Sequence, residues 1–169
     1  DDIQRNPEIL ESLEAVRCQA SVSMGIAQDI GEASRIPGIP KVAFLSPAQD
    51  MTTLAGEIVS AAECDILVRM ISLGQPHRAI PVTGALCIAA TARIDGSLVS
   101  GMLDTACGSS ELRLAHPSGV TNVDAKLERQ DGTWYAASAT ISRTARRLMD
   151  GYVYVPAART PGLGVVPRA

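Results

Sequence analysis

Apolar positions in this chain follow helical spacing at its start and strand-like alternation over much of its length. Ile9, Leu10, Leu13, Val16 and Ala20 recur at helical intervals behind Asn6-Pro7. Asn is a favoured N-cap and Pro suits the first helical position, so a helix is expected from residue 7, closed by Gly25. Residues 31–40, rich in Gly and Pro, read as a loop. A strand is expected over 41–46, stopped by Pro47, then a loop or single helical turn over 50–53. Residues 56–60 and 65–72 read as strands paired with each other. In the second, Ile66, Val68 and Met70 alternate with Leu67, Arg69 and Ile71, so the sheet should be covered on both faces. Arg69 is the exception there; a buried charge needs a partner, expected to be a structural carboxylate.

The stretch 82–93 (VTGALCIAATAR) departs from this alternation. Residues 85–92 hold no charge, and Thr91 is their single strongly polar side chain. A helix apolar all round is a buried helix, and this one is far shorter than the roughly 20 residues needed to cross a bilayer. Thr83 is expected as its N-cap, with Gly84 letting another group approach the backbone and Cys87 facing the core. The first amides of a helix lack internal partners and sit at the positive end of its dipole, a ready site for an anion. The turn Leu73-Gly74-Gln75-Pro76 delivers His77 and Arg78 to that mouth. A small carboxylate or phosphate is the ligand this pattern favours.

Beyond the turn Asp95-Gly96, a short strand is expected over 97–100, a small-residue loop over 105–110, and a strand over 111–115 broken at His116-Pro117-Ser118-Gly119. Residues 120–129 and 133–142 form a hairpin around Asp131-Gly132. A basic segment, 143–151, ends in a turn before a terminal strand over 152–155, and residues 157–169 read as a loose tail. The sum is an α+β fold, a mostly antiparallel sheet wrapped around a central buried helix.

Composition narrows the chemistry. At 169 residues the chain can bury one real core, and a net charge of −3 with no Lys/Arg run argues against nucleic acid. Aromatics are few, so Ala, Val, Ile, Leu and Met must build the core. Cys18, Cys64, Cys87 and Cys107 show no CxxC and no His at metal-ligand spacing, so neither a metal site nor a disulfide framework is expected. With no leader and no long apolar run, a cytoplasmic protein without a membrane span is expected.

Four stretches together resemble one family: 69–87 (RMISLGQPHRAIPVTGALC), 116–120 (HPSGV), 143–151 (RTARRLMDG) and 152–156 (YVYVP). Their order is similar to that in the PrpF-like family of 2-methylaconitate cis-trans isomerases and 4-oxalomesaconate tautomerases. The resemblance implies a diaminopimelate epimerase-like fold. Two domains, each a sheet around a helix, would face each other across a cleft and aim their helix N-termini at substrate carboxylates. It implies cofactor-free proton transfer that moves or isomerises a double bond beside a carboxylate, the growing charge stabilised by oriented amides. Family members are about twice as long, so residues 1–156 are expected to be the C-terminal domain. The partners implied are a small-molecule polycarboxylate and the N-terminal domain of the same protein, with a homo-oligomer left open and no cofactor, nucleic acid or membrane.

On this reading His77 is the candidate acid/base, suited by a pKa near neutrality when unperturbed. Thr83, Gly84, Ala85, Arg78, His116 and Ser118 are the candidate substrate-binding residues. Each also has a plainer role as a cap, a turn former or a solvated charge, and Arg143, Arg146 and Arg147 read most simply as a solvated or domain-bridging cluster. Two competing readings stand beside the isomerase. One is a non-catalytic domain that binds a small carboxylate or packs against a partner. The other is an amino-acid racemase, weakened because Cys87 lies a turn too deep behind Thr83-Gly84 and Cys107 falls on a loop away from the helix mouth.

Overall fold

The computed structural model describes residues 3, 5–103, 111–159 and 161–162. Helix α1, Pro7–Ser23, begins as its sequence dictates, the Asn6 side chain accepting from the Ile9 amide at 3.3 Å. A second helix, α2 (Ile30–Arg35), forms where a loop was expected. Asp29 accepts the Glu32 amide at 2.7 Å, and the Glu32 carboxylate accepts the Gln28 amide at 2.7 Å. That near-reciprocal capping outweighs the cost of Gly31 in the helix. Arg17, 4% exposed, clamps the two helices together. Its guanidinium forks onto Glu14 at 2.6 and 2.8 Å and donates to the carbonyls of Ala33, Ile36 and Ile39.

The main sheet has the order β1 (Val42–Pro47), β4 (Ile66–Ser72), β6 (Leu112–His116), β7 (Gly119–Gln130) and β8 (Thr133–Ile141). A short β5 (Gln75–Pro76) returns along the end of β4. β4 and β6 run parallel; the other pairs are antiparallel. The expected pairing of 56–60 with 65–72 does not form. β3 (Ile58–Val59) pairs instead with β2 (Met51–Thr52), in the stretch expected to be a loop or helical turn. β4, apolar on both faces, takes a central lane between β1 and β6, where both faces leave water. The β7–β8 hairpin turns as expected at Asp131 (φ +50°) and Gly132 (φ +79°), the left-handed pair that a two-residue hairpin loop requires.

Helix α3, Val82–Ala92, lays Gly84, Ala85, Ile88, Ala89 and Ala92 toward the sheet. Ala85, Ile88, Ala89 and Ala92 share one core with Ile66, Val68 and Met70 of β4, Leu112 and Leu114 of β6, and Val123 and Ala125 of β7. Leu67 and Ala115 alternate with those residues and so point to the opposite face, where they join Met51, Val59 and Cys64 in a smaller cluster. An all-round buried helix is therefore not what forms. One stripe of α3 is buried, while Val82, Thr83 and Cys87 are exposed, and Cys87 does not face the core.

The strand expected over 97–100 is instead a short helix, α4 (Leu98–Met102), because the Ser97 hydroxyl caps it by accepting the Ser100 amide at 3.0 Å. Nor does 152–155 form a strand: residues 142–156 run without helix or ladder, since no sheet edge among the described residues pairs with them. Asp65 and Arg113 tie the start of β4 to β6, the guanidinium reaching the carboxylate at 2.6 Å. The loop expected over 105–110, with Cys107, lies outside the described residues. No helix among the described residues is long and apolar enough to cross a membrane.

Candidate functional site

The mouth of α3 is built by Pro81, not by Thr83. Pro81 is the N-cap residue at φ −62°, ψ 140°, and no side chain caps the helix. The proline ring fixes φ and holds the chain extended up to the first helical residue, which places Thr83 one position inside the helix. Ala85 donates its amide to the Pro81 carbonyl at 2.9 Å. The amides of Val82, Thr83 and Gly84 have no acceptor among the described residues. Ala85 is thus fully buried with its amide committed, whereas Thr83 and Gly84 each keep an open donor. A Cβ on Gly84 would run into the terminal methyl of Met70. The glycine therefore lets α3 press close onto β4, and the group that approaches its backbone is this methionine.

His77 and Arg78 stand in the loop leading to this mouth. The His77 amide donates to the Met70 carbonyl at 2.8 Å, which fixes the loop to the end of β4. Its ring Nε2 is buried and has no hydrogen-bond partner among the described residues. An orphaned buried ring nitrogen calls for an explanation, and a ligand site is one. The Arg78 side chain is exposed, while its carbonyl accepts the Ser118 hydroxyl at 2.8 Å. That bond joins the His116-Pro117-Ser118-Gly119 turn to the loop before α3. The same turn holds the β2–β3 ribbon, through the Leu54 amide on the Pro117 carbonyl at 2.7 Å.

His116 shapes the turn. Its Nδ1 accepts the Ser118 amide at 3.2 Å, so Nδ1 carries no proton and Nε2 must donate to Thr121 Oγ1 at 2.9 Å. The ring is neutral in this arrangement. Burial, and then the nearby Arg69 and Arg143 cations, push its pKa below the ordinary histidine value. Both ring nitrogens are engaged, as are the Ser118 amide and hydroxyl proton. In this state these two residues brace the site, and Ser118 could offer a ligand only an acceptor.

Arg69 does not have the carboxylate partner expected for it. Its one bond among the described residues is from Nη1 to the Val68 carbonyl at 3.2 Å. Half-buried without an anion, it has its pKa lowered by desolvation. It lines a groove of about 340 Å³ with Phe44, Leu45, Ser46, Gln49 and Leu67. Cys87 sits on the exposed stripe of α3. No three metal-ligating side chains converge among the described residues.

His77 and Arg78 thus precede the open amides of Val82, Thr83 and Gly84 along the chain, and Ser118 is tied to that loop through the Arg78 carbonyl. The sequence expectations passed over Thr121, whose hydroxyl accepts from His116 Nε2 once the Ser118 amide has set the tautomer. The alternation along β7 could have flagged it, because Thr121 lies two residues before Val123 and shares its face.

The family model described as PrpF protein matches residues 1–156. The 2-methyl-aconitate isomerase of Shewanella oneidensis is 37% identical over 157 residues, covering 92% of this chain and 39% of that protein. The 3-methylitaconate isomerase of Eubacterium barkeri is 32% identical over 166 residues, covering 94% and 41%. The crystal structure of a methylitaconate-delta-isomerase matches 99% of this chain and 43% of its own, with a TM-score of 0.76 and 32% identity. The chain therefore spans about two fifths of the length of these relatives.

Proposed function

Because this chain belongs to the PrpF family and shares the diaminopimelate epimerase-like fold of methylitaconate isomerase, we propose that it forms the carboxylate-binding part of an isomerase active site. The proposed substrate is an unsaturated di- or tricarboxylate, aconitate-like or oxalomesaconate-like. The rest of the cleft would come from an N-terminal domain of the same protein, consistent with the 39% of the Shewanella relative that this chain covers.

The observation that carries this reading is the cluster of open donors at α3: the amides of Val82, Thr83 and Gly84, with the unpartnered Nε2 of His77 in the preceding loop. A carboxylate on those amides is held where the helix dipole favours negative charge. Removing a proton from the carbon next to the double bond spreads charge into that carboxylate, and amides already oriented stabilise it at no cost in reorganisation. His77, with a free ring nitrogen at this place, is the acid/base proposed from this chain. The exposed Arg78 guanidinium adds a second anchor for a polycarboxylate. The chemistry needs no cofactor, since a proton leaves one carbon and returns at another.

A second reading, a domain that binds a carboxylate without turning it over, uses the same donors and differs in the outcome of one experiment. trans-Aconitate is incubated in deuterated buffer with the complete polypeptide and with this chain, and vinylic and methylene exchange is followed by NMR. Exchange with the complete polypeptide, lost in His77→Gln, is expected; its absence removes the isomerase reading. Val82→Pro tests the anion site alone. Proline is tolerated at the first helical position but removes one open amide, so trans-aconitate affinity should fall about tenfold with unchanged circular dichroism. Unchanged affinity would count against the helix mouth.

A further inference from the structure

His77 and the first turn of α3 come from different stretches of chain, and one residue touches both. The His77 amide donates to the Met70 carbonyl at 2.8 Å. The Met70 thioether reaches the other way: a Cβ on Gly84 would fall on its terminal methyl and stand 3.5 Å from its sulfur. Met70 is 5% exposed and shares the α3 core with Ile80, Ala85 and Ile88. The loop from β5 to α3 is therefore held at its start by the Met70 carbonyl and near its end by Ile80, which enters the same core.

How this contact is divided between strand and helix is informative. Glycine costs a helix up to about 1 kcal/mol relative to alanine, and here the space that an alanine methyl would fill is taken by a methionine methyl from β4. The filling atom thus belongs to the residue whose carbonyl fixes His77. An unbranched thioether can reach a helix backbone where a branched side chain stops short. Because the absent Cβ points at β4, the glycine makes room for the methionine and not for a ligand. Proton transfer is steep in distance: a misplacement of about 1 Å can cost a hundredfold in rate. A carboxylate on helix amides, by contrast, moves with the helix that binds it. A change at Met70 should therefore slow the transfer and spare the binding.

We propose that Met70 is a positioning residue for the isomerisation: its carbonyl holds His77 and its thioether holds the first turn of α3, so the separation of the acid/base from the carboxylate-binding amides is set through this one residue. The inference rests on the carboxylate site and on His77 as its acid/base, both proposed above, and adds what fixes the one against the other.

The test uses the complete polypeptide and the trans-aconitate exchange assay. Met70→Leu conserves volume and should fold, but the branched side chain ends one atom short of Gly84. Its kcat for exchange should fall about tenfold while KM stays within about twofold. Gly84→Ala, which drives a methyl into the one from Met70, should show the same split. The pair Met70→Leu/Gly84→Ala moves that methyl from strand to helix and should recover most of kcat. Val68→Ala, on the same face of β4 and 1% exposed, is the control: it should cost more stability in urea and leave kcat unchanged. The proposal is overturned if kcat and KM change in step, if the pair is no faster than the slower single variant, or if Val68→Ala gives the same split. Were Met70→Leu unfolded, Gly84→Ala alone would have to show the split. An NMR titration separates this inference from the proposed function. In the parent, trans-aconitate should shift the His77 ring and the Thr83 amide together, and in Met70→Leu only the amide shift should persist in full. No shift in the parent refutes the carboxylate site itself. Equal shifts in parent and variant refute the part assigned to Met70 alone, with or without turnover.

Discussion

Two parts of this protein treat polar groups in opposite ways. In the α1–α2 layer, Arg17 is nearly fully buried, and its guanidinium meets the Glu14 carboxylate and three backbone carbonyls. At the mouth of α3, the amides of Val82, Thr83 and Gly84 and the ring nitrogen of His77 meet nothing among the described residues. The His77 nitrogen among them is buried, and a buried polar atom costs free energy until a partner arrives. The first arrangement is complete and serves stability. The second is incomplete among the described residues, and under the proposed function its partner is a ligand carboxylate.

The sharpest way to break this contrast is to remove the clamp. Arg17→Met deletes the buried cation and takes its donors from the carbonyls of Ile36 and Ile39, leaving Ala33 with the Ile36 amide alone, so unfolding should become easier by about 3 kcal/mol. Urea midpoints measure it. trans-Aconitate affinity at the α3 mouth should stay unchanged wherever the variant is folded. A variant as stable as the parent would mean that Arg17 is held by the fold and does not hold it.

His116 sits between the two cases, satisfied but beside the mouth, and it makes the contrast depend on pH. Its pKa is lowered in the folded protein by burial and by the Arg69 and Arg143 cations. Below about 6.5 the unfolded chain takes up a proton that the folded one resists. The unfolded state then binds more protons, so stability falls with falling pH across the interval from the unfolded to the folded pKa, and the effect is absent above it. Glu14 and Glu63, held below the usual carboxylate range, titrate at more acid pH and do not confuse that window. Urea midpoints from pH 7.5 to 5.5 should slope for the parent and lie flat for His116→Asn, which should also lose about 2 kcal/mol at pH 7.5 from its two broken hydrogen bonds. An equal slope in the variant assigns the titration to another group.

What was legible in the sequence follows the same division between local and distant causes. The α1 cap at Asn6, the hairpin turn at Asp131-Gly132 and the break at Pro117 are fixed by a few adjacent residues, and each appears where expected. The α2 cap was equally local, in Asp29 and Glu32, but the surrounding Gly and Pro hid it. Strand pairing was less legible. Whether Ile58–Val59 joins β4 or Met51–Thr52 depends on which lane buries more surface, and that is decided by β1 and β6 at a distance. The same holds at the site. An apolar helix with His77 and Arg78 before it could be read from the chain, though one stripe of it and not its whole surface is buried. That Pro81 and not Thr83 caps it, and that Met70 fills the space at Gly84, depends on how α3 meets β4.

Ser118 gives the finest test, because its hydroxyl ties the satisfied His116 turn to the loop before α3 with a single bond. It donates to the Arg78 carbonyl at 2.8 Å from an exposed position. A hydrogen bond in contact with water contributes little net stability, so Ser118→Ala should cost at most about 1 kcal/mol. The turn would remain in place through His116 Nδ1 on the Ser118 amide and the Leu54 amide on the Pro117 carbonyl. What the bond does restrain is the loop carrying His77 and Arg78. Freed, that loop would spend less time in the geometry that presents both side chains to a ligand, and orientation lost before binding is affinity lost on binding. A severalfold weaker trans-aconitate titration, with a thermal midpoint lowered by only a few degrees, is therefore expected. If Ser118→Ala instead cost as much stability as Arg17→Met, the rim of the mouth would be part of the folding core, and its open donors would need an explanation other than a ligand.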